Sequence, residues 1–199
     1  MQNFKNFKLI EPSIDQLKKY ASFAGTPLIL ESEDGQDWYE CQKLFSDDTV
    51  KIQYDSDGII RGVIDKPIPE RGNIYAVSML WPVNASVAEL ALDDYPDGVT
   101  LDGTWKYDEE TRNIYQDADI VSSQVIINNT RQLNKLLSVC AVSAFPLQSR
   151  VDVGCAIDEQ VTALAELKQY VIDLTNPAIV DLTQSPLQLP PAPLSLQVR

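Results

Sequence analysis

The sequence predicts an α+β protein: a small β-rich N-terminal domain (1–116), a helical hairpin (117–175) and an extended, flexible proline-rich tail (176–199). Three observations predict it. Val50, Ile52 and Tyr54 alternate with Lys51 and Gln53 before Ser56-Asp57-Gly58, and Ile59, Ile60, Val63 and Ile64 follow. Period-2 runs on both sides of such a turn make a β-hairpin whose glycine takes a positive φ. Beyond residue 117 the spacing becomes helical: Leu133, Cys140 and Leu147 fall seven apart, as do Leu137, Ala144 and Val151. The final stretch, SPLQLPPAPLSLQVR (185–199), has four prolines and no acidic residue.

Each element follows from its local pattern. Residues 3–10 alternate loosely and predict a first strand. PSIDQLKKYASF (12–23) predicts a short helix, with Ser13 as cap and Ile14, Leu17 and Tyr20 or Ala21 at helical spacing. PLILES (27–32) predicts a strand ending in the turn EDGQ, and DWYECQKLF (37–45) another short strand. After the central hairpin, NIYAVSMLWP (73–82) and SVAELAL (86–92) are strand candidates, and DYPDGVTLDG is loop. TWKYDEETRNIYQ (104–116) predicts a second hairpin turning at DEET. In the helical part, Pro146 is expected to kink the first helix or split it, and Gly154 to end it. Asp158 is expected to cap a second helix with the apolar line Val161, Leu164, Leu167 or the stem of Lys168, Val171 and Leu174. The prolines of the tail argue against a helix or a central strand there.

Asp55, Asp57 and Gly58 resemble the start of a calcium loop, but the register fails. With Gly58 at the glycine position, Gln53 opens the loop and Ile64 closes it; with Asp55 opening, Lys66 closes it. Neither register supplies the closing carboxylate, so a metal-free turn is expected.

Composition removes whole classes of function. The net charge of −13 argues against nucleic acid and anionic lipid as partners. Residues 1–116 hold 21 acids against 11 bases, so the acidity belongs to the first domain, as a solvated surface or as a match to a basic partner. Histidine is absent, which removes His-based triads and imidazole acid–base chemistry. There is no GxSxG, Walker loop or GxGxxG. The acidic pairs Glu33/Asp34, Asp47/Asp48, Asp93/Asp94 and Glu109/Glu110 are side by side, whereas a glycosidase needs carboxylates facing each other across a cleft. No catalytic residue, cofactor or metal is expected. Cys41, Cys140 and Cys155 form no CxxC pair and are expected to be reduced thiols. MQNFKNFKLI lacks the apolar run of a secretory signal, and no membrane span is expected.

ESEDGQDWYECQKLFSDDTVKIQYDSDGII followed by WPVNASVAEL resembles the tail fibre assembly proteins of Mu-type phages and related prophages. The resemblance rests on Glu33-Asp34-Gly35, Trp38-Tyr39, Phe45, Tyr54-Asp55 with Asp57-Gly58, Pro82 and Ser86-Val87-Ala88-Glu89, across residues 31 to 90. FPLQSRVDVGCAIDEQVTALAELKQYVIDL is similar to the family's second signature, over about 130 to 190. The tail departs from it: Leu-Pro-Pro stands where the family commonly has Trp-Pro or Phe-Pro.

The resemblance implies a non-enzymatic chaperone that binds the distal, C-terminal region of a trimeric tail fibre, helps it fold and trimerise, and in some members stays attached to the virion. It implies action in the host bacterial cytoplasm, or a place at the fibre tip. Trp38, Tyr39, Phe45, Tyr54, Asp55 and Trp81 are the expected contact residues, because aromatics beside turns make interface anchors. For Trp38 and Phe45, a place in the core is the preferred reading. Self-association is left open. The alternative function is a virion-attached module that binds host surface glycan (lipopolysaccharide).

Overall fold

The computed structural model describes residues 1–22 and 25–197. Phe23, the last residue of the expected first helix, and Val198 and Arg199 of the tail lie outside the described residues. The fold is α+β, and the chain separates into two compact units, Met1–Ala118 and Asp119–Arg199.

The first unit runs β1 (Asn3–Ile10), α1 (Ile14–Lys19), β2 (Ile29–Glu31), α2 (Trp38–Cys41), β3 (Thr49–Tyr54), β4 (Ile60–Ile64), α3 (Gly72–Val77), β5 (Ala85–Ala91), β6 (Trp105–Asp108) and β7 (Asn113–Gln116). Ser13 caps α1: its hydroxyl accepts the Gln16 N–H at 3.2 Å, and Gln16 Oε1 accepts the Ser13 N–H at 2.9 Å. Five strands form one antiparallel sheet in the order β2-β1-β5-β3-β4, and β6 and β7 form a separate hairpin.

Both faces of this sheet are covered. One carries Phe4, Phe7, Leu30 and Val87 against Trp38, Cys41, Phe45, Val77 and Leu80. The other carries Val50, Ile52, Tyr54, Ala88 and Leu90 against Tyr107 and Ile114 of the second hairpin. Phe4 and Phe7 are three residues apart, so a regular strand would point them to opposite faces. The β1–β5 register shifts between them, and Asn6 takes a φ of 52°. That bulge puts both rings on one side.

The expected hairpin between β3 and β4 is present. Asp55 Oδ1 accepts the N–H groups of Asp57 and Ile59, both at 3.0 Å, and Oδ2 accepts Arg61 Nε–H at 2.8 Å. The carboxylate that resembled a metal ligand therefore closes its own turn. Gly58 has a φ of +79°, and a Cβ there would meet the Tyr107 carbonyl oxygen at 2.7 Å. Glycine is needed on both counts.

Two expected strands are helices. Residues 37–45 form α2 and a 3-10 turn through Leu44. Asp37 accepts the Tyr39 N–H at 2.9 Å as an N-cap, and Trp38 and Cys41, three apart, share the buried side. Within 73–82, α3 buries Asn73, Ala76 and Val77, a spacing of three and four rather than two.

A polar pair lies under the helical face. Lys51 of β3 and Glu89 of β5 are direct cross-strand partners, and both are buried. Lys51 Nζ donates to the Ser46 carbonyl, to the Thr49 carbonyl at 2.9 Å and to Asn73 Oδ1 at 3.0 Å. Glu89 accepts the Ser46 N–H at 2.7 Å, the Thr49 hydroxyl at 2.8 Å and the Gln2 N–H at 2.9 Å. Asn73 donates to the Phe45 carbonyl at 2.8 Å. The pair thus fastens the 45–49 loop, the N-terminus and α3 to the middle of the sheet.

The second unit holds α4 (Ala118–Asp152), α5 (Asp158–Leu174) and one helical turn, α6 (Leu194–Gln197). Pro146 does not split α4. It lies on the exposed side, and so does Val142, whose carbonyl loses its helical donor. Gly154, at a φ of +72°, ends the helix: its N–H donates to Val151 O and the Cys155 N–H to Arg150 O, both at 3.0 Å. The cap of α5 is Ile157 rather than Asp158, and its N–H donates to Gln160 Oε1 at 3.3 Å. Leu164, Leu167, Tyr170 and Leu174 form the buried line, while Val161 is exposed.

Much of the tail lies against these helices. Val180, Leu182, Leu187, Leu189, Ala192 and Leu196 pack with Cys140, Tyr170 and Leu174. The Asn129 amide donates to the carbonyls of Leu182 and Gln184, both at 2.8 Å. The expectation of no helix is corrected by α6, which begins after Pro193, where a missing N–H has no helical bond to lose. Among the described residues, no helix is long and apolar enough to cross a membrane, and no three Cys, Asp or Glu side chains gather as a metal site.

The buried pair gives a test by stability. Burial alone would raise the Glu89 carboxyl, but the N–H groups of Ser46 and Gln2 and the Thr49 hydroxyl outweigh it and hold it below its ordinary value of 4.5. Its contribution is therefore complete above the unfolded pKa and is lost as pH falls through the depressed folded value. Glu89→Ala is expected to cost on the order of 3 kcal/mol at pH 7 in urea unfolding, because it strands buried donors beside Lys51. It should also flatten the fall in stability below pH 4.5. A loss under about 1 kcal/mol would contradict this role.

Candidate partner-binding surface

The structure divides the six expected contact residues. Trp38, Phe45 and Tyr54 are core residues whose rings are out of a partner's reach. Trp38 is 0% exposed, and its indole Nε1–H donates to the Leu80 carbonyl at 3.1 Å. Its ring is 5.2 Å from Phe7 and 6.1 Å from Phe45 in edge-to-face contacts, and Phe4 meets Phe45 at 5.5 Å. Tyr54 packs against Tyr107 on the other face at 5.0 Å. Its hydroxyl lies 2.8 Å from Asn3 Oδ1 and 2.9 Å from Glu109 Oε1. Burial and the Glu109 carboxylate push that phenol above its ordinary value. Asp55 is committed to its turn and to Arg61.

Tyr39 and Trp81 remain, and the structure brings them together. Trp38 faces the core from α2, so Tyr39, the next residue, faces away from it. The Tyr39 ring is 6.3 Å from Trp81 and 5.0 Å from Tyr20, a row of three aromatics. Trp81 is 38% exposed and Tyr39 half-buried. The Tyr39 hydroxyl donates to the Leu28 carbonyl at 3.1 Å, and the Tyr20 hydroxyl donates to Asp37 Oδ2 at 2.8 Å. Burial and the Asp37 carboxylate raise both phenols, which are neutral at pH 7. Lys19 and Lys43 both pair with Glu40 at 2.8 Å, which ties the end of α1 to α2 beneath this row. The aromatics are thus held by the core rather than displayed on a free loop.

Sequence reasoning missed the outer side of α3. Ile74, Tyr75 and Met79 are exposed, Met79 at 62%. Arg71, Tyr75 and Met79 are four residues apart and follow one ridge through α3 and its two ends, Arg71 as the N-cap and Met79 just past the C-cap Ser78. The Arg71 guanidinium lies over the Tyr75 ring, 4.5 Å from its centroid. That spacing was the available signal, hidden by reading 73–82 with a period of two.

Concave surfaces occur in both units. In the first unit, Asn6, Lys8, Glu31, Glu33 and Asn84, together with the apolar Phe7 and Ile10, line an open cleft of about 410 Å³. In the second, Leu137, Cys140, Ala144, Leu167, Val171 and Ile172 line an apolar groove of about 590 Å³ between α4 and α5. Also on α4, Phe145 is 74% exposed.

Two tryptophans give opposite expectations. Trp38→Ala should cost about 3–5 kcal/mol and lower the melting temperature sharply. Trp81→Ala should leave melting nearly unchanged, within about 1 kcal/mol. Equal losses in paired thermal melts would show that Trp81 is a structural residue too.

Comparison with known proteins identifies the family. The family described as Caudovirales tail fibre assembly protein, lambda gpK, matches residues 40–194. The chain is 27% identical over 188 residues to "Tail fiber assembly protein U" of Escherichia phage Mu, covering 89% of this chain and 96% of that protein. It is 27% identical over 195 residues to "Probable tail fiber assembly protein" of Escherichia phage P2, covering 92% of this chain and 100% of that protein. The family match takes in β3 to β7, α3 and both long helices, and on that extent the chain belongs to the Caudovirales tail fibre assembly protein family.

Proposed function

We propose that this protein is an assembly chaperone for a phage tail fibre. It binds the distal, C-terminal region of the trimeric fibre through its first unit, and it assists folding and trimerisation in the host cytoplasm. The observation that carries this reading is the aromatic row Tyr20–Tyr39–Trp81, fixed on a packed core and partly open to solvent. Long β-rich trimers expose strand edges and apolar surface while they fold. A protein that shields such surface needs rigid apolar anchors, and it needs no catalytic group. The contact set is Tyr39 and Trp81, joined by Tyr75 and Met79, in place of the buried Trp38, Phe45 and Tyr54. The apolar groove between α4 and α5 offers further area for holding an assembling complex.

The cleft at Asn6 and Asn84 is the feature that favours glycan binding instead. It supplies amides, two hydroxyls and carboxylates for hydrogen bonds, but its one aromatic, Phe7, is fully buried. A sugar there would lack a ring to stack on, which ranks the chaperone reading first.

Co-expression tests the proposal. The cognate fibre made with this protein is expected to be a soluble trimer by gel filtration and light scattering, whereas fibre alone should aggregate or stay unassembled. Trp81→Ala should reduce the yield of trimer several-fold without loss of the chaperone's own solubility. A fibre that is already a soluble, receptor-binding trimer when expressed alone would overturn the proposal.

A further inference from the structure

We infer that the ridge Arg71–Tyr75–Met79 recognises an apolar segment of the fibre that carries an aspartate or glutamate side chain. This rests on the chaperone reading and names the chemistry of its partner.

The inference starts from charge. The chain has 29 acids and 16 bases, and six of the bases pair with a carboxylate among the described residues. Lys5, Lys18, Lys19, Lys43, Arg61 and Lys106 each pair with one, at 3.7 Å or less. Lys51 is buried and satisfied by Ser46, Thr49 and Asn73, and Arg112 donates to the Glu89 carbonyl. Arg71 has no carboxylate among the described residues, although Glu70 is its neighbour in sequence; Lys8, Lys66, Arg131, Lys135, Arg150 and Lys168 have none either, but of these unpaired cations Arg71 is the one that lies over an aromatic ring. Its guanidinium turns to the face of Tyr75 instead.

Stacking uses the face of the guanidinium and leaves the N–H donors on its rim, in the fork that matches a carboxylate bidentately. Tyr75 also limits the rotamers Arg71 explores, so less side-chain entropy is lost on binding. Met79, next along the ridge, and Ile74 beside it offer exposed apolar area. A charged donor set against an apolar strip fits a segment with a carboxylate beside apolar residues. A small free anion would leave Tyr75 and Met79 unused. The chain's net charge of −13 also repels polyanions, so a single carboxylate within an apolar segment suits the site better.

The test is calorimetric binding of the full-length protein to the recombinant C-terminal region of the cognate fibre, at low and high salt. Arg71→Ala is expected to weaken binding about 10-fold or more and to reduce its salt dependence, with melting unchanged. Arg71→Lys should recover only part, because an ammonium offers no planar fork. Arg71→Glu should be weakest, and replacing one fibre Asp or Glu by Lys should restore it. If Arg71→Ala binds as well as the unmodified chain while Trp81→Ala binds weakly, the carboxylate site is wrong and the chaperone reading stands. If the unmodified chain does not bind the fibre, both fail. If Arg71→Ala leaves fibre binding intact and instead abolishes self-association in sedimentation, the occupant is a second copy of this chain and the inference is overturned.

Discussion

A buried lysine and a buried glutamate, opposite each other on the two most central strands, are the constraint on which the first unit depends. Neither Lys51 nor Glu89 reaches water, so each must find its partners inside the protein. They find them mostly in backbone: the 46–49 loop, the N-terminal strand and, through Asn73, the start of α3. Hydrophobic packing alone would let these segments slide over the sheet. A set of directed hydrogen bonds fixes where each one sits.

The exposed surface inherits that fixity. Asn73 opens α3 and is tied to Lys51 and to the Phe45 carbonyl, so the ridge of Arg71, Tyr75 and Met79 is held from beneath. Trp38 donates to the Leu80 carbonyl, which sets the backbone immediately before Trp81. The bulge at Asn6 brings Phe4 and Phe7 to the same side, where they complete the aromatic cluster around Trp38 and Phe45. A partner meeting Tyr39 and Trp81 therefore meets side chains whose main chain is already placed, which lowers the entropy lost on association.

The fold was legible where local chemistry and tertiary contacts agreed. The β3–β4 hairpin follows from alternation and from Gly58, and the end of α4 follows from Gly154. The misread segments are two short ones in which a helical spacing was read as a strand. Trp38, Cys41 and Phe45 are three and four apart, a helical spacing that the strand reading of so short a segment passed over, and Asp37 caps the helix. Ile74 and Ala76 look like one strand face, although Ala76 is buried and Ile74 exposed. That error carried into the site: a strand hides the i, i+4 ridge that a helix displays. For Trp38 and Phe45 the sequence favoured the core, and both are buried. The tail was legible only in its lack of donors, because what places Leu187 and Leu189 is the surface of α4 and α5.

The central claim is that the first unit presents a rigid aromatic and apolar surface to the fibre. Amide hydrogen exchange of the full-length protein, free and bound to the cognate fibre's C-terminal region, tests it most directly. The account predicts new protection at Tyr20, around Tyr39 and across residues 71–83, with the central strands already slow in the free protein. Protection confined to residues 119–197, with residues 71–83 exchanging as fast as in the free chain, would contradict it.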